Sequence, residues 1–337
     1  MESDLIEFQV PPTSVPSSTT SPALTEAKRS TDVWFEDGTI ILEAEGSQFK
    51  VFKGVLAANS TVFNDMLVVG SNHANNEMVE GCPVVRVYDT VLDMMHFLKA
   101  LHHVGYYDPP ETKDFLMIAA ILRLSTKYNV EFLRRRTLAQ IAPLYPTTLP
   151  EWDQRQAHAR DVDVFDARPF AVFLLAKETG NHALLPMCMY FCACNVDINN
   201  ILDGLKSIDG KHIEFEWVDK RACIRGRQNL ILALRSEAFA FLTGYLKIPN
   251  CSSPQRCDSA KLRRMQSVEL ALGNGGLSQA GFLYIKFDWS SFRNVVCENC
   301  YTASQNDYNQ QRQRIWDKLP SYFDMPPWEE LVKSSSQ

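Results

Sequence analysis

The clearest alternation of apolar and polar positions in this chain spans residues 49–67. Phe49 and Val51 flank Lys50, which is the period-two pattern of a strand with one buried face. From Val55 onward the apolar residues recur in adjacent pairs, a spacing that suits short helical turns better than a strand. The segment therefore predicts a strand followed by two short helices.

Further strands and helices are predicted on both sides of this segment. Two strands precede it, and the Asp37–Gly38 dipeptide between them predicts that they form a hairpin. A strand at 83–88 follows it. Three helices with apolar residues at intervals of three or four come next, at 91–102, 114–128 and 130–141. A few strands followed by a run of helices predict an α+β fold.

The segment 49–67 reads F-x-V-x-K-x-x-L-A-x-x-S-x-x-F-x-x-M-L, and it resembles the centre of the BTB/POZ domain. The order of elements over residues 29–145 resembles that fold as well. Phe52 stands where many BTB domains have a histidine. Because a buried phenylalanine is an acceptable core substitute, the fold expectation is unchanged, but pocket chemistry built on that histidine is not expected. The resemblance implies self-association and recruitment of protein partners.

Three consecutive large apolar residues, Val33, Trp34 and Phe35, lie on the predicted first strand. Since side chains alternate between the two faces of a strand, one face is more apolar than a single core requires. The BTB resemblance places this end of the domain in a dimer interface. We therefore expect a homodimer with these three residues as interaction residues.

Four segments are expected along the chain. They are a disordered tail at 1–28, the BTB/POZ domain at 29–145, a helical region at 146–249 and a cysteine-containing C-terminal region at 250–337. The tail is rich in Pro, Ser and Thr and cannot bury enough apolar surface to order itself. In the helical region, helices are predicted at 151–180, 182–195 and 219–246.

Four of the nine cysteines form two pairs near the C-terminus, Cys251 with Cys257 and Cys297 with Cys300. The C-x-x-C spacing of the second pair lets both thiolates reach one ion, and two such pairs can complete a tetrahedral structural zinc site. A helix at 260–272, a turn at 273–276 and a strand at 282–287 are predicted between the pairs. Free or buried cysteines are one alternative, and a redox pair is the other.

The last apolar stretch of the chain, residues 314–331, resembles the W-x-x-L-P-x-x-F-x-x-P-x-W-x-x-L ending of a large set of fungal BTB proteins. Its large apolar residues predict a C-terminus that docks back onto the preceding helices. They are Trp316, Leu319, Phe323 and Trp328. The alternative is a peptide that inserts into a partner.

Composition and charge exclude several classes of function. A net charge of −6 and a pI near 5.7 argue against nucleic acid or a membrane surface as the partner. No apolar run reaches the ~18 residues of a spanning helix. Acidic residues in the first ten positions are unlike a secretory signal, so a cytoplasmic or nuclear location is expected, with reduced thiols.

No catalytic motif is found in the sequence. It contains no G-x-x-x-x-G-K-[ST], no G-x-S-x-G and no H-E-x-x-H, so an enzyme is not expected. The sequence predicts a protein–protein interaction module that acts through BTB-mediated self-association and partner recruitment. A transcription-associated regulator or a substrate adaptor of a cullin-type ubiquitin ligase is the alternative.

Overall fold

The computed structural model describes residues 27–70, 77–107, 114–155, 168–207, 210–243, 248–275 and 287–335. The predicted disordered tail lies outside these ranges except for its last two residues. Most of the strand predicted at 282–287 also lies outside them, as does the middle of the helix predicted at 151–180.

A five-stranded mixed sheet forms the N-terminal part of the molecule. Its strands are β1 (Lys28–Trp34), β2 (Ile40–Ala44), β3 (Ser47–Val51), β4 (Met78–Val79) and β5 (Cys82–Val87). They lie side by side in the order β1-β3-β2-β5-β4. The β1–β3 and β2–β5 pairs are parallel, and the other two pairs are antiparallel.

The hairpin predicted at Asp37–Gly38 is wrong. β2 forms its hairpin with β3 instead, through Glu45 and Gly46, whose φ angles are 46° and 76°. Two consecutive residues with positive φ are typical of the type I′ turn, whose twist matches that of a two-residue hairpin. Because β3 occupies that edge of β2, β1 pairs with the far edge of β3.

Five helices pack with this sheet. They are α1 (Lys53–Asn59), α2 (Thr61–Gly70), α3 (Val91–His102), α4 (Phe115–Lys127) and α5 (Glu131–Ile141). Capping side chains set two of the starts. The Thr90 hydroxyl accepts from the backbone N–H of Asp93 at 3.1 Å, and the Asp114 carboxylate accepts from that of Leu116 at 3.1 Å. The predicted α+β fold is confirmed.

The rest of the chain is mainly helical, as predicted. The helices are α6 (Leu149–Gln154), α7 (Arg168–Glu178), α8 (Leu185–Asn195), α9 (Ile198–Asp203), α10 (Trp217–Ala233), α11 (Pro254–Gly275), α12 (Trp289–Arg293), α13 (Glu298–Tyr322) and α14 (Trp328–Ser335). A two-stranded ribbon, β6 (Leu205–Lys206) with β7 (His212–Ile213), lies between α9 and α10.

Two helix ends differ from the predictions. α10 ends at Ala233, where the helix predicted to reach 246 changes into a π-helical turn and then a 3₁₀ turn. α11 continues through Gly275, although a turn was predicted at 273–276. Each helical glycine costs on the order of 1 kcal/mol relative to alanine, which is too little to end a long helix by itself.

The described residues form two hydrophobic cores that meet at α4. Ile121 and Leu124 of this helix belong to the first core, with the sheet and α1–α3. Ile118 and Leu122 lie on an adjacent face of the helix and belong to the second core. The second core extends from α4 to Trp328, so the segments predicted at 146–249 and 250–337 share it.

The aromatic ending of the chain is buried in the second core. The Trp316 indole donates to the Thr147 carbonyl at 3.2 Å, and the Trp328 indole donates to the Trp316 carbonyl at 2.9 Å. The two indole rings stack with centroids 5.7 Å apart. Phe323 packs so closely on Gly226 of α10 that a Cβ there would lie 2.1 Å from its ring.

Candidate metal centre and interaction surface

Four cysteine side chains converge where α11 and α13 begin. The Sγ atoms of Cys251, Cys257, Cys297 and Cys300 all lie within 4.8 Å of one another. Cys251 Sγ is 3.7 Å from Cys297 Sγ and 3.4 Å from Cys300 Sγ. Tetrahedral zinc with Zn–S bonds of ~2.3 Å places its sulfur ligands about 3.8 Å apart. The cluster could therefore hold one metal ion.

The starts of two helices position three of these thiols. Cys257 lies in the first turn of α11 and Cys300 in the first turn of α13, while Cys297 is the N-cap of α13. Unpaired N–H groups and the helix dipole make a helix start favourable for a thiolate. Asn299 links the two cysteine segments, because its side-chain amide donates to the Asn250 carbonyl at 2.7 Å.

The thiols differ in acidity. Burial acts to raise the pKa of Cys297, but hydrogen bonds from the backbone N–H groups of Cys300 and Ser252 outweigh it and lower this pKa to about 6. Burial raises the pKa of Cys257, whose sulfur accepts from the Cys297 backbone N–H at 3.2 Å. Burial, with the neighbouring Cys251 thiol, raises the pKa of Cys300.

Four soft sulfur ligands with backbone N–H donors around them fit a tetrahedral metal site. Second-shell donors of this kind orient metal-bound thiolates and stabilise their charge. Four other thiols, those of Cys188, Cys192, Cys194 and Cys223, are buried in the second core. Burial raises the pKa of Cys194 and of Cys223 to about 12, so both stay neutral thiols that pack in the core.

Two of the three predicted interaction residues, Val33 and Trp34, lie at the end of β1 at one edge of the sheet, and Phe35 follows directly. Val33 is only 1% exposed and belongs to the first core, so its side chain does not contribute surface to a partner. Trp34 is half-buried, with the Arg29 guanidinium 4.7 Å from its ring. Phe35 is half-buried against Phe52 at 5.0 Å. Trp34 and Phe35 thus supply the apolar surface at this edge.

A groove of about 740 Å³ between α3, α4 and α7 was not foreseen from the sequence. Arg123 spans it, donating to Glu178 at 2.9 Å and to Asp93 at 2.6 Å. These ion pairs join positions 55 and 30 residues apart, so no local pattern indicates them. The Arg123–Glu178 pair joins the N-terminal domain to the helical region, while the Arg123–Asp93 pair lies within the N-terminal domain.

The family model of the BTB/POZ domain matches residues 33–140. The chain therefore contains a BTB/POZ domain, and the resemblance of segment 49–67 is confirmed. BTB/POZ is a family of protein-interaction domains, so the domain defines a protein–protein interaction module. No match was found among curated proteins or among solved structures. None of the described helices is both long and apolar enough to cross a membrane.

Proposed function

We propose that this protein self-associates through its BTB/POZ domain, as a homodimer, and recruits other proteins. The observation that carries the proposal is the complete BTB/POZ fold, from β1 to α5, with the helical region packed on α4. β1 is an edge strand, and edge strands are templates for association unless they are covered. The half-exposed rings of Trp34 and Phe35 support a second copy of the chain at this edge.

Light scattering on the full chain at tens of micromolar tests this proposal. We expect a dimer, and we expect the double variant Trp34→Ser/Phe35→Ser to be a monomer with an unchanged circular dichroism spectrum. Tyr88→Ser is the matched control. Tyr88 is 97% exposed and follows β5, which β2 and β3 separate from β1. A strictly monomeric wild type would contradict self-association, and a dimeric double variant would contradict the assignment to β1.

We further propose that Cys251, Cys257, Cys297 and Cys300 hold one structural zinc ion. Zinc bound by four thiolates contributes its binding free energy to folding. Cys297→Ser should release the metal and increase protease cleavage after Asn250, while the BTB/POZ domain stays intact. Cys82→Ser is the control, since this buried thiol lies on β5 and donates to the Gly38 carbonyl, as a serine could. Equal zinc content in both variants would contradict the site.

The expected partners are proteins, and the expected location is the cytoplasm or the nucleus. The described cysteines are all unpaired, which supports a reducing compartment. Affinity purification of the full chain, with the Trp34→Ser/Phe35→Ser variant in parallel, would separate partners that need the dimer from those that do not. A partner set consisting only of nucleic acid or lipid would contradict the interaction role.

A further inference from the structure

The four cysteines of the candidate metal centre differ in their access to solvent. Cys251 and Cys297 are partly exposed, whereas Cys257 and Cys300 are 0% and 2% exposed. The two accessible thiols come from different segments, since Cys251 precedes α11 and Cys297 is the N-cap of α13. Their Sγ atoms are 3.7 Å apart and therefore in contact. A small molecule that approaches from solvent meets this pair first.

We propose that a peroxide oxidises Cys251 and Cys297 to a disulfide and thereby releases the metal, so that the centre is a redox-sensitive link between α11 and α13. The inference rests on the zinc site proposed above. The thiolate, not the thiol, is the nucleophile that attacks an oxidant, and a metal-bound thiol is deprotonated. The loaded centre thus presents two thiolates to solvent, in contact with each other.

Two steps account for the chemistry, with hydrogen peroxide as the oxidant. The Cys297 thiolate attacks one peroxide oxygen, so that an S–O bond forms, the O–O bond breaks and hydroxide leaves. The sulfur loses two electrons in this step and becomes a sulfenic acid. The Cys251 thiolate then attacks that sulfur, so that the S–S bond forms, the S–O bond breaks and a second hydroxide leaves. Each hydroxide takes up a proton from solvent and becomes water.

The disulfide removes two of the four metal ligands. Cys257 and Cys300 alone cannot complete the tetrahedral coordination of a structural zinc ion, so the ion leaves. The Asn299 side-chain amide, which donates to the Asn250 carbonyl at 2.7 Å, holds the segment of Cys251 at the start of α13. Because the two oxidised cysteines are 46 positions apart, the chain exchanges a metal link for a covalent link between the same two segments.

Burial protects the remaining thiols of the chain from the same reaction. Five cysteines outside the centre are between 0% and 7% exposed, namely Cys82, Cys188, Cys192, Cys194 and Cys223. Thiols that are buried in apolar surroundings are inert, because an oxidant does not reach them and their thiolates are disfavoured. Mild oxidation should therefore consume two of the nine thiols, those of the accessible pair.

Treatment of the zinc-loaded full-length protein with a small excess of hydrogen peroxide, in the presence of a zinc-binding dye, tests the proposal. Compared with a sample without peroxide, we expect release of one zinc ion per chain. The count of free thiols, measured after denaturation, should fall from nine to seven. Dithiothreitol followed by added zinc should restore both the thiols and the metal.

Mass spectrometry identifies the pair that forms. After alkylation of the free thiols, trypsin and a glutamyl endopeptidase cleave after Arg256, Lys261 and Glu298, which places each of the four cysteines in its own peptide. We expect the peptide of Cys251 to be joined to that of Cys297. This map is made on the wild type and does not depend on whether any variant folds.

Two variants separate the disulfide from the metal. Cys257→Ser removes a buried ligand and keeps the accessible pair, so it should lose the zinc and still form the disulfide between Cys251 and Cys297. Cys82→Ser, at a buried thiol outside the centre, should release zinc as the wild type does. A Cys257→Ser protein that keeps both thiols under peroxide would show that the pair is not placed to react.

The outcomes distinguish this inference from the zinc site itself. A wild type purified without zinc contradicts the zinc site. A zinc-loaded wild type that keeps its metal and all nine thiols under peroxide contradicts the redox role alone. Zinc release with a disulfide at another pair, or with oxidation that dithiothreitol does not reverse, would overturn the assignment to Cys251 and Cys297.

Discussion

The two cores of this molecule are specified in different ways. The first core belongs to the BTB/POZ domain and is built from consecutive strands and helices between β1 and α5. The second core joins residues far apart in sequence. Trp316 bonds a carbonyl 169 positions earlier, and Arg134 of α5 donates to the carbonyl of Ser335, 201 positions later. The comparison teaches that local sequence pattern predicts most elements of the first core, whereas the second core forms only when the C-terminal helices pack against the helical region.

The helix α4 belongs to both cores. One face of α4 is buried in the sheet domain and an adjacent face is buried in the helical region, so both regions pack against this helix. An isolated fragment of residues 30–145 should still fold as a soluble unit, because its strands and helices pack around a hydrophobic core of their own. It would, however, expose the α4 face that carries Ile118 and Leu122.

Trp316→Ala should be the most damaging of the substitutions that separate the two cores. Removing a fully buried indole leaves a cavity and costs about 3–5 kcal/mol. Hydrogen exchange should show loss of protection in α6, α13 and α14, with the strands of the BTB/POZ domain largely protected. Trp217→Ala is the control, because that indole is 70% exposed, and it should change stability by less than about 0.5 kcal/mol.

Equal loss of protection in both regions of the Trp316→Ala variant would show that the two cores unfold together. In that case the loss of packing in the second core also destabilises the first core through α4. The distinction between a core built from local contacts and a core built from contacts distant in sequence would then fail.

Gly226→Ala and Gly54→Ala should have effects of opposite sign. A Cβ at Gly226 would collide with the Phe323 ring, and overpacking of this kind costs about 1–3 kcal/mol. A Cβ at Gly54 of α1 meets nothing within 4 Å, so alanine there should stabilise the protein by roughly 0.5–1 kcal/mol. Chemical denaturation measures both values. Neutral Gly226→Ala would mean that Phe323 does not dock tightly on α10.

His102 should make the BTB/POZ domain sensitive to mild acid. Burial lowers the pKa of this imidazole, and its Nε2 is buried without a hydrogen-bond partner. Because the folded-state pKa lies below the unfolded value of about 6.5, the unfolded chain takes up the proton first. Stability is therefore full above that value and is lost as the pH falls through the folded-state pKa.

Hydrogen exchange of α3 between pH 7 and pH 5, corrected for intrinsic exchange rates, measures this effect. His102→Leu should flatten the pH dependence, and His103→Leu, at the exposed neighbouring position, should preserve it. Burial also lowers the pKa of His96, so a smaller slope of the same sign should remain in His102→Leu. An unchanged slope would contradict the role of His102.

How much of this structure the sequence predicts depends on the range of the interactions. The helices α3, α4 and α5 were predicted to within a residue or two, because apolar spacing and capping residues are local signals. The pairing of β1 was missed, since Asp–Gly is among the dipeptides that type I′ turns favour and Glu–Gly is not, so Asp37–Gly38 was the stronger hairpin signal.

In the candidate site, too, local features were predicted from the sequence and contacts between distant residues were not. Cys297 and Cys300 are three residues apart, and their spacing alone indicates a shared ligand. The approach of Cys251 and Cys257 to them depends on how the starts of α11 and α13 come together, for which the sequence has no local signal. The ion pairs of Arg123 are likewise products of tertiary structure.

The most direct test is the zinc content of the purified full-length protein, never exposed to a chelator. It shows whether a metal ion joins the two cysteine pairs in the second core. Elemental analysis by mass spectrometry should find close to one zinc ion per chain, and Cys297→Ser should lose it. Less than a tenth of an equivalent of zinc or of any other transition metal in the wild type would contradict the account.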